Sequence, residues 1–538
     1  MRLQHSLVSL VASIGFLPAQ QLRWQVPVAG PSTIEYEWMA SFADYDHDGY
    51  RDFLRWVAPN GVGLRNLQVA SGFDGSTLWE LNPPHGLTAG RACHAGDMDG
   101  DGEPDVVFVR GNTFSTRAMV AWSPRRNAQL WQVIGSFSAG FGYSLLGDID
   151  VNGDGRPDVI TNNFSGSGGD VFVFDNGGTL LYSVPCLTLG RYPASLAKMG
   201  DIDGDGCDDF LVGCIDPSAR GLQWLISGKN GSTIRESYGL LPGDHLALHV
   251  CNLGDIDGDG VNDYAAFPWY SGLRDIAVAY SGATGTVIRS WVDAPNSVVS
   301  GEDFDQDGVP DLVTGADWIL GGNLFGRTLC WSGRDGSELW RVDVVPFVPG
   351  SGGSNGSNGW MDWSANLGVR PGNPYPAVAW LDTQWYVAGT LLGRTRVFDG
   401  TRAGQGPVTG TACTSSGTLP LIGVRKLGAG VAVTGSRITV AKTHPGALAA
   451  INLAFAALPT PVDLSSFGFT NCTVYLDPAA SALATTGTTG IDRGYAAINL
   501  PHPLAASAVG TNVVAQWLVY DPATLAYAAT QMHALRLQ

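Results

Sequence analysis

The chain has 538 residues, with 72 glycines, 30 prolines, 15% charged and 10% aromatic residues, and a formal net charge of −18. Such a length exceeds one ordinary core, so several domains or a repeat array are expected, and the aromatic content excludes a disordered chain. The acidity excludes nucleic acid and anionic membrane as partners, while abundant glycine without sustained helical periodicity points to short strands joined by turns.

The first 19 residues read as a secretory signal: Arg2 and His5 precede an apolar run from Leu7 to Leu17, then Pro18-Ala19 before Gln20-Gln21. The run is too short to span a bilayer, and no later stretch is long enough, so an exported protein, secreted or at the cell surface, is expected. Leu17 is a poor residue three positions before a cleavage site, which leaves the cut undefined. The eight cysteines suit an oxidising compartment and show no metal-ligand spacing. Cys93 and Cys251 occupy equivalent places in non-adjacent repeats and are not expected to pair.

A nine-residue pattern, D-x-[D/N]-x-D-G-x-x-D, then recurs six times, starting at Asp44, Asp97, Asp150, Asp201, Asp255 and Asp303, with spacings of 53, 53, 51, 54 and 48 residues. About 26 residues after each start comes a tight-turn signal: Ser71-Gly72, Ser123-Pro124, Asp175-Asn176, Ser227-Gly228, Ser281-Gly282, Ser332-Gly333 and, once more, Asp399-Gly400. Large residues follow several of them, as in Leu78-Trp79, Leu130-Trp131 and Leu339-Trp340. The seventh turn has its own degenerate loop, Leu367 to Ala377, from which the acidic residues are gone, so a seventh unit without a metal is expected. A unit of about 50 residues holds four short strands, one propeller blade. The seventh unit ends at Phe398-Asp399-Gly400 without a last strand. Leu22-Arg23-Trp24-Gln25-Val26, similar to Leu130-Trp131-Gln132-Val133, is expected to supply it and close the ring.

The loop chemistry points to calcium. Alternate residues of a tight loop can direct side-chain oxygens from positions one, three and five at one centre, with the carbonyl of position seven and the carboxylate of position nine completing a hard-oxygen shell. The candidate ligands are Asp44, Asp46, Asp48, Tyr50 and Asp52; Asp97, Asp99, Asp101, Glu103 and Asp105; and Asp150, Asn152, Asp154, Arg156 and Asp158. The remaining loops offer Asp201, Asp203, Asp205, Cys207 and Asp209; Asp255, Asp257, Asp259, Val261 and Asp263; and Asp303, Asp305, Asp307, Val309 and Asp311, the position-seven residue acting in each case through its carbonyl. Glycine at position six permits a positive φ. About six calcium ions, one per unit except the seventh, would bring the charge of −18 to about −6. The third loop, with Asn152 for an aspartate, is expected to bind more weakly, with Asp148 nearby as partial compensation. An EF-hand is excluded, because position twelve is Arg55, Phe108, Thr161, Val212, Ala266 and Thr314 and strand-like sequence follows.

On these loops and their spacing, residues of about 22–403 resemble the FG-GAP/VCBS repeat family, best known from integrin alpha subunits. The resemblance implies a seven-bladed β-propeller in which calcium is structural and sits in hairpin loops at the blade rims, with ligands on the opposite face. The all-β chain would then divide into a signal at 1–19, a propeller at 20–403 and a C-terminal module at 404–538. In that last part only ten of 135 residues are charged. Alternating stretches such as Val431-Ala432-Val433 and Cys472-Thr473-Val474-Tyr475-Leu476 suggest a small β-sandwich, with Cys413 and Cys472 paired. Its Cys-containing start, Leu458-Pro459, Asn471-Cys472-Thr473 and Trp517-Leu518-Val519-Tyr520-Asp521-Pro522 are similar to C-terminal modules of secreted proteins from planctomycete-type bacteria. Residues 350–359, rich in Gly and Ser, read as an elongated loop.

No nucleophile elbow, zinc-protease helix, P-loop or dinucleotide fingerprint occurs, and the nine histidines are scattered. His47 and His94 lie in or beside the acidic loops. The leading reading is a monomeric binding, adhesion or cell-surface scaffold protein with a protein or glycan ligand. The alternative is a carbohydrate-active enzyme of the polysaccharide-lyase kind, which would need basic and aromatic residues such as Arg65, Arg191, Tyr192 and Arg274 gathered on one face.

Overall fold

The computed structural model describes residues 21–27, 39–57, 66–81, 91–111, 117–134, 140–163, 169–186, 190–215, 220–268, 276–292, 296–320, 323–343, 356–357, 363–370, 373–387, 390–399, 405–409, 412–415, 419–427, 435–465, 469, 471–476, 480–501 and 512–536. Among these residues the regular structure is strand, apart from 3-10 turns at Gly490–Asp492 and at Ser465. The proposed signal, Arg65, Arg274 and Val431-Ala432-Val433 lie outside the described residues, as do residues 350–359 except 356–357.

Each acidic loop is the hairpin between the first and second strands of a four-stranded antiparallel sheet. In blade one these strands are Met39–Ser41, Phe53–Val57, Asn66–Ala70 and Thr77–Leu81. Equivalent sheets run from Ala92–His94 to Ala128–Ile134, from Phe141–Ile149 to Leu180–Pro185, and from Tyr192–Gly200 to Thr233–Tyr238. Two more run from Leu246–Gly254 to Val287–Val292 and from Asn296–Glu302 to Glu338–Asp343. The seventh consists of Trp363–Arg370, Asn373–Val387 and Thr390–Asp399, with the short strand Gly356–Ser357 beside Asn373–Val387. The N-terminal strand Gln21–Pro27 pairs antiparallel with Thr390–Asp399, Leu22 opposite Phe398 and Val26 opposite Thr395. The expected closing strand is therefore the one found.

The middle strands are buried on both faces, as the unbroken burial of Asn66–Ala70, Asp158–Asn163 and Leu222–Ile226 shows. Both faces are covered because the apolar cores lie between neighbouring sheets. Leu54, Trp56 and Val69 of blade one meet Val106, Phe108 and Val120 of blade two. Later cores join blades two and three through Val107 and Phe174, three and four through Val173 and Trp224, and four and five through Leu225 and Tyr280. Phe267 and Leu312 join five and six, Trp340 and Trp380 six and seven, and Val397 and Phe53 seven and one. The cores thus form a closed cycle, and the first strands of the sheets touch in the same cyclic order. This is the geometry of a β-propeller.

In four blades the large residue that follows the turn signal reaches from the outer strand to the next blade's turn. Trp131 Nε1 donates to the carbonyl of Asn176 in the next blade's turn at 2.8 Å. Tyr182 donates in the same way to Gly228, Arg235 to Gly282, and Arg289 to Arg334. Position rather than side-chain type is what the repeat keeps.

Beyond the propeller, Gln405–Thr409, Met532–Arg536, Asn512–Asp521, Leu448–Ala454 and Ala480–Thr485 form one sheet in that order, flanked by Cys413–Thr414 and Ala526–Ala529. Leu421–Leu427, Gly435–Ala441 and Ala496–Pro501 form a second sheet. Ile422, Ile438 and Val440 from the second pack on Ile451, Ala515 and Trp517 from the first, which makes a β-sandwich. Cys413 and Cys472 are disulfide-bonded, and the other six cysteines are free thiols, Cys93 and Cys251 among them.

Candidate metal centres

All six loops fold alike, and their aspartates explain why. The position-one carboxylate accepts backbone N–H bonds from positions five and six, as Asp44 does from Asp48 and Gly49 at 3.1 and 2.9 Å, and Asp303 from Asp307 and Gly308 at 3.0 and 2.8 Å. Asp97, Asp150, Asp201 and Asp255 repeat the arrangement. Position five caps position seven: Asp48 accepts from Tyr50, Asp101 from Glu103, Asp154 from Arg156, Asp205 from Cys207, Asp259 from Val261 and Asp307 from Val309. The position-six glycines have φ between 78° and 90°, as the turn requires. Position four is also left-handed: it is glycine in four loops, but His47 (φ 59°) and Gln306 (φ 58°) in the first and sixth.

Carboxylate oxygens from three residues lie within 4.8 Å of one another in five loops: Asp44, Asp46 and Asp48; Asp97, Asp99 and Asp101; Asp201, Asp203 and Asp209; Asp255, Asp257 and Asp259; Asp303, Asp305 and Asp311. The loop with Asn152 is not among these three-carboxylate groups, having an amide where the others have an acid. Converging carboxylates repel one another, and a divalent cation with a preference for hard oxygen ligands relieves that repulsion. The donor set therefore fits calcium better than zinc, which favours nitrogen and sulfur.

Position nine does more than the sequence pattern suggests. Asp52, Asp105, Asp158, Asp209, Asp263 and Asp311 are fully or almost fully buried. One oxygen of each accepts the N–H of loop position two, from Tyr45, Met98, Val151, Ile202, Ile256 and Phe304 at 2.7 to 3.0 Å. The other oxygen accepts the N–H of the turn glycine between the third and fourth strands: Gly72 to Asp52, Gly228 to Asp209, Gly282 to Asp263 and Gly333 to Asp311. This bond brings the turn so close that a Cβ on any of these glycines would collide with the carbonyl oxygen of loop position eight. In blade two the equivalent residue is Pro124, which has no N–H, so Asp105 lacks that donor. Burial pushes the carboxyl up to about 7 in Asp52, Asp158 and Asp263 and to about 6 in Asp105 and Asp209, and it holds Asp311 well above the ordinary range.

The loops also touch around the rim. Position eight packs on the glycine that precedes the previous blade's loop: Pro157 on Gly96, Asn262 on Gly200, Pro310 on Gly254 and Arg51 on Gly368. The last contact joins blade one to the acid-poor hairpin of blade seven, where Arg370 stands opposite Asn373. Glu302 completes this corner, accepting from Arg51 at 3.0 Å and from Asn366 at 2.9 Å. His47 reaches Glu103 of the next loop at 3.1 Å, and His94 lies 3.7 Å from Asp148. Arg191, one of the residues a lyase would require, stacks on Trp224 and pairs with Glu236 at 2.6 Å.

A ring of four-stranded sheets with a repeated carboxylate loop at one rim defines a β-propeller with candidate divalent-cation loops. A family model for the FG-GAP-like repeat matches residues 150–212, the third loop through the second strand of blade four. Integrin alpha-PS3 of Drosophila melanogaster is 33% identical over 149 residues, 24% of this chain and 13% of that protein. Integrin alpha-PS5 of the same species is 33% identical over 146 residues, 23% of this chain and 14% of that protein. A quinohemoprotein alcohol dehydrogenase structure from Comamonas testosteroni covers 73% of this chain and 78% of its own at 11% identity, with a TM-score of 0.40. Residues 150–212 thus match an FG-GAP-like repeat, and the chain's repeats are similar to those of integrin alpha chains. The matched parts span 13% and 14% of those integrin chains, so the likeness concerns the repeat. Among the described residues no helix is long and apolar enough to cross a membrane.

Two outcomes follow from position nine. Gly282→Ala should lower unfolding stability by roughly 2 kcal/mol through overpacking and loss of the bond to Asp263, read in urea melts; unchanged stability would contradict the bridge. The second concerns pH in the cation-free protein. Folded carboxyls raised to about 6–7 hold protons that unfolded ones, near 3.8, release. Stability then falls as pH rises from about 4 to about 7 and levels off above that. A bound cation removes this cost, so the melting-temperature loss on chelation should be larger at pH 7.5 than at pH 5. An equal or smaller loss at pH 7.5 would count against the account.

Proposed function

We propose that this chain is an exported, calcium-braced, seven-bladed propeller that presents a protein- or glycan-binding surface, as an adhesion or cell-surface scaffold protein. The observation that carries the reading is the identical backbone-to-carboxylate network in six successive loops, each converging oxygen donors at one rim. Six calcium ions would occupy them, held by the side chains of positions one, three, five and nine and the carbonyl of position seven. The ions would offset carboxylate repulsion and brace each hairpin against its neighbour, a structural role that leaves ligand contacts to the opposite rim. The integrin-alpha-like repeats support a binding role over a catalytic one. The signal at 1–19, the propeller at 20–403, the module at 404–538 and a monomeric state belong to the same proposal.

Because a ligand that binds only the folded state stabilises it by mass action, chelation should lower the melting temperature markedly, and calcium alone should restore it. Asp205→Ala should remove one ion per chain by elemental analysis, whereas Asn373→Ala in the acid-poor hairpin should remove none. Unchanged melting with no bound calcium would overturn the structural role. Binding on a glycan or extracellular-protein array without product formation is the expected functional result, and turnover of any polysaccharide would overturn the non-catalytic reading.

A further inference from the structure

The C-terminal sandwich does not sit at an arbitrary place on the propeller; it covers the sixth acidic loop. Asp305, Gln306 and Asp307 are only 3%, 6% and 1% exposed, whereas Asp46 and Asp48 of loop one and Asn152 and Asp154 of loop three are open to solvent. The cover comes from the second sandwich sheet. Gly423 lies so close that a Cβ there would strike the carbonyl oxygen of Asp305. Thr439 Oγ1 donates to the carbonyl of Gln306 at 3.5 Å, and a Cβ on Gly308 would come within 2.8 Å of the Ala441 methyl.

Arg334 clasps the two parts together. It follows Gly333 in the turn that is hydrogen-bonded to Asp311, and its side chain is buried. Its Nε and Nη2 donate to the carboxylate and carbonyl of Asp307, both at 2.9 Å. Its remaining donors reach Asp492 and the carbonyl of Ile491 in the sandwich, both at 2.7 Å, and its plane lies 3.7 Å from the ring centre of Tyr495. In blade four the equivalent residue is Lys229, which touches the Asp205 carbonyl of its own loop at 3.1 Å. The clasp to the sandwich is therefore an elaboration of a contact that blade four makes within itself.

We propose that the C-terminal sandwich is a lid on the sixth loop, so that cation occupancy of that loop and seating of the sandwich are thermodynamically linked and the sixth ion is kinetically trapped. The proposal rests on the reading of the loops as calcium sites. Loop five is also approached, at Gly258 by Ile491, but its Asp259 remains exposed, so its ion keeps a path to solvent. Linkage works in both directions: the seated lid tightens binding of the ion, and loss of the ion loosens the lid. As a cover, the lid also slows the ion's escape.

The test uses the full chain loaded with calcium and mixed rapidly with a chromophoric chelator. One ion per chain should be released roughly tenfold or more slowly than the rest. Gly423→Val, which wedges the lid off Asp305, and Asp492→Ala, an exposed residue whose loss spares the fold, should each move that ion into the fast phase. At saturating calcium both variants should still hold the full complement of ions, while their affinity for the sixth falls. In the parent chain, amide exchange across Gly435–Ala441 should accelerate after chelation. Release in a single phase, or a slow phase that survives in both variants, would overturn the lid. An absence of bound calcium would overturn the underlying reading of the loops, and the lid with it.

Discussion

Everything at the acidic rim depends on a buried carboxylate that ties two turns together. The position-nine aspartate takes one N–H from the loop between the first and second strands and, in four blades, another from the turn between the third and fourth. It thereby fixes both hairpins of a blade at one rim, and its burial follows from that place. A charge in such surroundings is costly unless it is hydrogen-bonded and neutralised. The loop's other carboxylates add to that cost, because several acids share one small volume, and a proton neutralises the position-nine acid only below about pH 6 to 7. A hard divalent cation would answer that need and tie the loop's chemistry to the blade's geometry.

The same rim then joins the blades to each other. Position eight of one loop rests on the glycine before the previous loop, so a brace in one blade steadies the next. At the junction of blades six, seven and one, where the acids are missing, Glu302 bonded to Arg51 and Asn366 supplies a polar clasp of a different kind. Ring closure thus has two components: pairing of Gln21–Pro27 with Thr390–Asp399 in the outer part of blade seven, and this clasp at its rim. A closed ring removes the sheet edges that an open array would expose.

Much of this was legible in the sequence because it depends on spacing. The recurrence of the nine-residue pattern marked the blades, the turn signals marked the seventh unit, and the likeness of Leu22–Val26 to Leu130–Val133 located the closing strand, which pairs as expected. The Cys413–Cys472 bond followed from there being two cysteines in that region, but the alternating stretches did not locate the sandwich strands. Val431-Ala432-Val433 lies outside the described residues, and of Cys472–Leu476 only Thr473–Val474 is strand, paired with Val462–Asp463 outside both sandwich sheets. What spacing could not show was contact across long separations. Arg334 reads as an ordinary turn residue until Asp492 and Tyr495 are seen around it, and Glu302 carries no signal of its partner Arg51, 251 positions away. The dual role of position nine was half visible: the aspartate stood out as a ligand candidate, while its bond to the turn glycine lay hidden in two separate motifs. In retrospect the near-constant offset between them, 19 to 22 residues in the four bonded blades, was a readable trace, and Pro124 in blade two marks where the donor is missing.

The central claim, that the acidic loops are cation sites built into the propeller, is tested most directly by native mass spectrometry of the full chain in the presence of calcium and after chelation. The account predicts discrete calcium adducts up to six per chain, all removed by the chelator, with magnesium a poorer replacement. A mass that equals the bare polypeptide in calcium, with no adducts at any concentration, would contradict it.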